Sequence, residues 1–183
     1  MVKKIYLYRK CFNMQSKIIW FTGLSGSGKT TLSNYIAKKL IKKKFKIKKI
    51  DGDLFRKKNK INKFTKFSII KNNQLIIEYL DKEKNRYDYL IVSVISPLKK
   101  TRSLAFKKFK SKYFEVYTKC NIKELINRDP KKLYLKAKNK IIKNLIGFNS
   151  KIKYEHTSYK KIVVNTANET IKQSANKILH KII

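Results

Sequence analysis

Gly23-Leu24-Ser25-Gly26-Ser27-Gly28-Lys29-Thr30 is the stretch whose reading decides the fold. It meets GxxxxGK[ST] at every fixed position. Upstream, Lys17 to Thr22 (KIIWFT) reads as a short buried strand. Downstream, Leu32, Tyr35, Ile36 and Leu40 recur at helical spacing, predicting a helix from about Lys29 to Lys43. A glycine-rich turn without a ligand does not require this order of strand, loop and helix. Glycines let backbone N–H groups converge on phosphate oxygens, and the helix N-terminus adds partial positive charge. The loop through Thr31 therefore reads as a cradle for the phosphates of ATP. Lys29 would bridge the β- and γ-phosphates, and the Thr30 hydroxyl would ligate Mg²⁺.

Further along, Phe45 to Ile50 reads as a second strand closed by Asp51-Gly52-Asp53. Ser68 to Lys84 is helical in pattern, with Ser68 as N-cap. Tyr89 to Ile95 is the most apolar strand, stopped by Ser96-Pro97. A helix over Lys99–Phe109, a strand over Tyr113–Thr118 and a short helix over Ile122–Arg128 follow. Asp129 to Lys153 is basic and irregular, Lys161 to Val164 is a fifth strand, and a helix runs from Asn168. Strands alternating with helices predict a three-layer α/β fold, a parallel sheet of about five strands covered on both faces. Asp51 and Asp53 then lie at the carboxyl end of the sheet, where such folds bind ligands. Asp-Gly is also a common turn dipeptide, but beside the phosphate loop one carboxylate suits the metal and the other a proton-accepting role.

The chain has 183 residues, a length that fits one domain. The division expected is a basic extension over 1–16 and a single domain over 17–183. Met14 is an alternative start. Cys11 and Cys120 lie far apart without a metal-ligand spacing, which suits a reducing, cytoplasmic setting. No apolar run approaches the ~20 residues of a bilayer span. The net charge of +36 is mostly lysine spread along the chain. Without arginine clusters or interleaved aromatics it reads as a solvated surface, which disfavours nucleic acid as partner. His156 and His180 have no partner at ligand spacing and read as surface residues; Phe106 and Phe109 read as core.

Several ordered motifs together resemble the adenylylsulfate kinase family over about Lys17 to Thr166. They are GLSGSGKTTL at Gly23–Leu32, Asp51-Gly52-Asp53-Leu54-Phe55-Arg56, Ile95-Ser96-Pro97 with Arg102, the run Arg128 to Ala137 (RDPKKLYLKA), and Ile142-Lys143-Asn144 with Gly147 and Ser150. The resemblance implies transfer of the γ-phosphoryl of Mg·ATP to the 3′-hydroxyl of adenylylsulfate (APS), giving PAPS. It implies that Asp53 is the base, with Lys29 as the catalytic lysine of the loop and Asp51 near the metal. Arg56, Phe64, Asn72, Ile95 and Ser96 would contact the acceptor, as would Lys131, Leu133 and Lys136. Residues 129–153 would form a lid with Arg128 toward ATP, and a homodimer is compatible with families of this kind. A kinase of the same fold acting on another hydroxyl acceptor, a nucleotide or phosphosugar, is the alternative, and a basic ATP-binding protein associated with nucleic acid is a third, less favoured reading. Ser68, Ile69, Leu145 and Asn149 depart from the family pattern, which has Asp, Arg, Phe and Asp there. Lys66 and Lys71 are candidates to compensate for the missing arginine.

Overall fold

The protein is described by a computed structural model covering residues 15–61 and 63–183. The remainder of the expected extension, residues 1–14, lies outside the described residues. Five strands form one parallel sheet: β1 (Lys17–Thr22), β2 (Ile47–Asp51), β3 (Tyr89–Ser93), β4 (Tyr113–Lys119) and β5 (Ile162–Asn165), in the order β2-β3-β1-β4-β5. The helices are α1 (Lys29–Lys42), α2 (Gly52–Lys58), α3 (Lys66–Glu83), α4 (Lys99–Phe109), α5 (Ile122–Arg128), α6 (Leu133–Lys138) and α7 (Ile171–Ile182). Ser16 is already tied to the body, its hydroxyl 2.6 Å from the Lys84 carbonyl and 2.5 Å from that of Tyr87.

Side-chain alternation along the central strand explains the three layers. In β1, Ile19 and Phe21 pack with Leu32, Ile36 and Leu40 of α1 and Ala175, Ile178 and Ile182 of α7. Ile18 and Trp20 point to the opposite face, against Ile76 and Leu80 of α3 and Ala105 and Phe109 of α4. All four β1 residues are completely buried, which is why the strand reads as a continuous apolar run. Because every strand is parallel, the carboxyl ends of β1, β2 and β3 open on one edge of the molecule.

Several expectations change in detail. Asp51-Gly52-Asp53 is no simple turn: it starts α2, with Asp51 Oδ1 accepting from the Asp53 and Leu54 N–H groups at 2.9 and 3.2 Å. The N-cap of α3 is Thr65, not Ser68, which sits on the first turn and donates its N–H to Thr65 Oγ1 at 3.2 Å. β3 ends at Ser93, and Ser96 sits beyond it with φ 43. The segment read as irregular contains α6, nucleated by Asp129, whose carboxylate accepts from the Leu133 and Leu135 N–H groups at 2.7 and 2.9 Å. Phe109 is core as expected, but Phe106 is 38% exposed and lies flat on Tyr159, ring centres 4.3 Å apart. Both histidines are exposed.

Candidate active site

The phosphate loop joins β1 to α1, and its backbone could be built only with glycine at its first position. Gly23 has φ 143, and a Cβ there would lie 2.5 Å from Thr118 Oγ1 and 2.7 Å from the Thr118 carbonyl. Thr118, near the end of β4, also bonds Ser27 Oγ at 2.6 Å, fixing the loop from the neighbouring strand. Lys29 curls over the loop and donates to the Gly23 and Leu24 carbonyls at 2.9 and 2.7 Å. Burial lowers its pKa to about 8, a shift partly opposed by Asp53. A relay of hydroxyls supports Thr30 from below: Ser93 donates to Ser33 at 2.8 Å, and Ser33 to the Thr30 carbonyl at 3.0 Å. Ser33, Ser93 and Thr118 were not legible as site residues, since lone hydroxyls carry no motif.

Three cavities run together along this edge. The central one, about 150 Å³, is lined by Ser25 to Thr31, Asp51, Asp53, Ser93, Ile95, Pro130 and Lys131. It shares Gly26, Gly28, Thr31 and Pro130 with a space of about 500 Å³ walled by Arg128 and Thr166. On the other side it shares Ser25, Asp53, Ile95 and Lys131 with a cavity of about 390 Å³. Asp53 and Lys131 thus stand at the junction, their carboxylate and ammonium 2.6 Å apart. That hydrogen bond raises the pKa of Lys131. Asp51 uses one oxygen to cap α2, so the residue beside the expected metal position also orients Asp53.

The 390 Å³ cavity is mostly apolar. Phe64, Ile61, Ile95, Leu133, Leu145 and Ile146 line it, with Arg56, Lys57 and Lys131 as its cations. The Arg56 guanidinium lies over the half-exposed Phe64 ring at 4.4 Å and donates to the Lys63 carbonyl at 3.1 Å. A separate small cavity of about 20 Å³, which shares Asp53, Arg56, Phe64, Ile95 and Ile146 with this space, is bordered by Ser96. Two expected contacts fall elsewhere. Asn72 is fully buried, lines none of these cavities, and neither amide atom has a partner among the described residues. One step around the helix, about 100°, Asn73 takes the wall instead and donates to the Ile69 carbonyl at 2.7 Å. Lys136 is exposed on α6 and lines none of them. Lys66 and Lys71 are exposed and line neither this cavity nor the small one beside it, whereas Arg56 shares the small cavity with Ile69.

The lid segment rests on the phosphate loop. Tyr134 of α6 is buried and donates its hydroxyl to the Ser25 carbonyl at 2.9 Å. Gly147 (φ 85) approaches so closely that a Cβ would lie 2.6 Å from the Leu24 side chain. Arg128 is held by Glu124 at 2.8 Å and by the Thr166 carbonyl at 2.6 Å, which fixes it at the wall of the 500 Å³ space. Asn149 accepts from the Leu145 N–H at 2.8 Å and donates to the Ile142 carbonyl at 2.6 Å, a donation no aspartate could make. Ile69 packs with Leu98 and Ile146, so the place of the family's arginine is filled by an apolar cluster bridging α3 and the lid.

A sequence model of the adenylylsulphate kinase family matches residues 15–165. The chain belongs to the adenylylsulfate kinase family. The probable adenylyl-sulfate kinase of Archaeoglobus fulgidus is 37% identical over 152 residues, covering 82% of this chain and 96% of its own. That of Pyrococcus abyssi is 36% identical over 170 residues, covering 92% and 95%. Among solved structures, the Mycobacterium tuberculosis APS kinase in complex with AMPPNP and APS superposes with a TM-score of 0.82 at 28% identity, covering 91% and 96%. The adenylylsulfate kinase assignment agrees with the fold: one parallel sheet with the phosphate loop after its central strand.

Proposed function

We propose that the protein phosphorylates the 3′-hydroxyl of adenylylsulfate with ATP, releasing ADP and PAPS. The observation that supports the residue roles is that the central cavity meets the 390 Å³ cavity at Asp53 and Lys131 and the 500 Å³ space at Gly26, Gly28, Thr31 and Pro130. ATP lies along the central cavity and the 500 Å³ space, with Gly23 to Thr31 on its phosphates, Lys29 bridging β and γ, and Arg128 on the base side. The acceptor fills the apolar cavity, its base against Phe64 and its anionic end near Arg56 and Lys57. Asp53 then faces both the γ-phosphoryl and the 3′-hydroxyl, and takes the hydroxyl proton as the new P–O bond forms and the bond to ADP breaks. Lys131 brings positive charge to the same point. The lid over Leu24 and Ser25 excludes water, which suppresses ATP hydrolysis.

The donors at the phosphate cavity suit Mg²⁺. Among the described residues no group of three or more His, Cys, Asp or Glu could hold a metal ion. A magnesium ion asks for less, one or two protein oxygens with phosphates and waters. The exposed Thr30 hydroxyl and the Asp51 carboxylate supply them, and the ion would neutralise charge on the β- and γ-phosphates. A cytoplasmic setting and a homodimer belong to the same reading; sedimentation velocity would check the dimer.

An ATP-coupled assay tests the function. APS-dependent ADP formation is the expected result. Turnover with a nucleoside or a phosphosugar in its place, and none with APS, would assign the acceptor cavity to that compound instead.

A further inference from the structure

Arg102 lies on α4, outside the three cavities, yet it is completely buried. A buried guanidinium must have its charge and its donors met. Its Nε forms an ion pair with Glu115 Oε1 at 3.4 Å without a hydrogen bond, and its plane stands over the Tyr154 ring at 4.8 Å. Glu115 in turn accepts from Thr157 at 3.1 Å and Tyr159 at 2.6 Å. The two remaining prongs donate to backbone: Nη1 to the Ser96 carbonyl and Nη2 to the Glu155 carbonyl.

The bond to Ser96 reaches the acceptor side. Ser96 has φ 43, a left-handed conformation uncommon outside glycine that persists only where its surroundings over-determine it. Those surroundings are few. Arg102 holds the Ser96 carbonyl, which the Thr22 hydroxyl also reaches at 3.4 Å, and Thr101 Oγ1 stands 3.3 Å from Ser96 Oγ. The Thr22 hydroxyl, at the root of the phosphate loop, donates to the Ile95 carbonyl at 2.6 Å. Ile95, Ser96 and Pro97 line the small cavity that adjoins the acceptor space, together with Arg56, Phe64 and Ile69. Glu155, on the chain returning from the lid, completes the clamp: its N–H donates to the Pro97 carbonyl at 2.8 Å.

We infer that Arg102 is a positioning residue for the acceptor, holding Ile95-Ser96-Pro97 in the left-handed turn that shapes the acceptor wall without touching either substrate. This rests on the acceptor-side reading given above. A residue serving stability alone would, when changed, lower the melting temperature and leave the two Michaelis constants in proportion.

Arg102→Lys keeps a cation opposite Glu115 and replaces the fork by a single ammonium. It is expected to raise the acceptor KM about tenfold, one lost charge-assisted bond, and to leave the ATP KM within about twofold. Adding Ser96→Gly, which adopts positive φ without strain, is expected to recover most of that loss. In the free protein, amide hydrogen exchange at Val94 to Leu98 should quicken in Arg102→Lys while the loop residues Ser25–Gly28 are unchanged. Unchanged exchange, equal rises in both Michaelis constants, or no recovery with the glycine would each overturn the inference. Should Arg102→Lys not fold, Thr101→Val, which removes only the side-chain contact to Ser96 and one turn bond, carries the same readouts with a KM rise of about two- to threefold. Absence of any APS turnover in the unsubstituted protein would count against the function, whereas the exchange experiment would still decide the clamp.

Discussion

At the residue scale, Lys29 has the sharpest pH signature in the site. Its pKa, lowered to about 8 by burial, means that the free protein loses this ammonium as pH rises through that value. Phosphates favour the charged form, so nucleotide binding should raise the pKa and draw in a proton. Calorimetric titration with AMPPNP in buffers of different ionisation enthalpy should show uptake of up to about one proton near pH 8.5 and about none near pH 6.5. Lys29→Met should abolish the difference along with turnover. Asp53 tests the chemistry. Asp53→Asn should lower kcat by about 10²–10⁴ with the ATP KM little changed, because a general base acts only on the step. Retained kcat would remove Asp53 from that role. Ile69→Arg has two expected effects. Its stem must displace packing against Leu98 and Ile146, costing about 1–3 kcal/mol of stability, while its head can reach the acceptor cavity beside Phe64. Thermal melts and the acceptor KM, expected to fall, read the two separately.

At the scale of elements, β1, α4 and α5 stand where the sequence puts them, because each carries a strong local signal. β1 is apolar throughout, α4 begins just after Pro97, and α5 follows Asn121, whose side chain accepts from the Glu124 N–H at 2.8 Å. The misread elements have weak local signals. α2 buries only Gly52, so no apolar period marks it, and Asp51-Gly52 reads equally as a turn. α6 is six residues long and owes its form to the Asp129 cap and to burial of Tyr134 and Ala137 against the loop. The Tyr134 hydroxyl is where this helix grips the phosphate loop. Tyr134→Phe should cost about 1 kcal/mol of stability and raise the ATP KM severalfold, with the acceptor KM less affected. Equal effects on both substrates would show that the tyrosine serves the lid as a whole.

At the scale of the whole molecule, lid, phosphate loop and acceptor wall meet around Leu24, which packs against both the Tyr134–Leu145 and the Ile69–Ile146 clusters. Two ligands in the joined cavities should therefore stabilise the entire domain. AMPPNP and APS, each near 100-fold above its Kd, should together add about 5 kcal/mol, a shift of the melting temperature on the order of 10 °C. The net charge of +36 acts at this scale too. Both substrates are polyanions, so their Michaelis constants should rise as salt increases from about 0.05 to 0.5 M, with kcat far less sensitive. The sequence by itself determined the phosphate loop, the alternation that makes a parallel three-layer sheet, and the family motifs, because these depend on spacing along the chain. Only the tertiary structure decided that Asn73 rather than Asn72 lines the small cavity beside Phe64, that Asp53 pairs with Lys131, and that Arg102 is buried behind Ser96. Those facts depend on the rotation of a helix and on distances between segments far apart in the chain, and no local pattern encodes either.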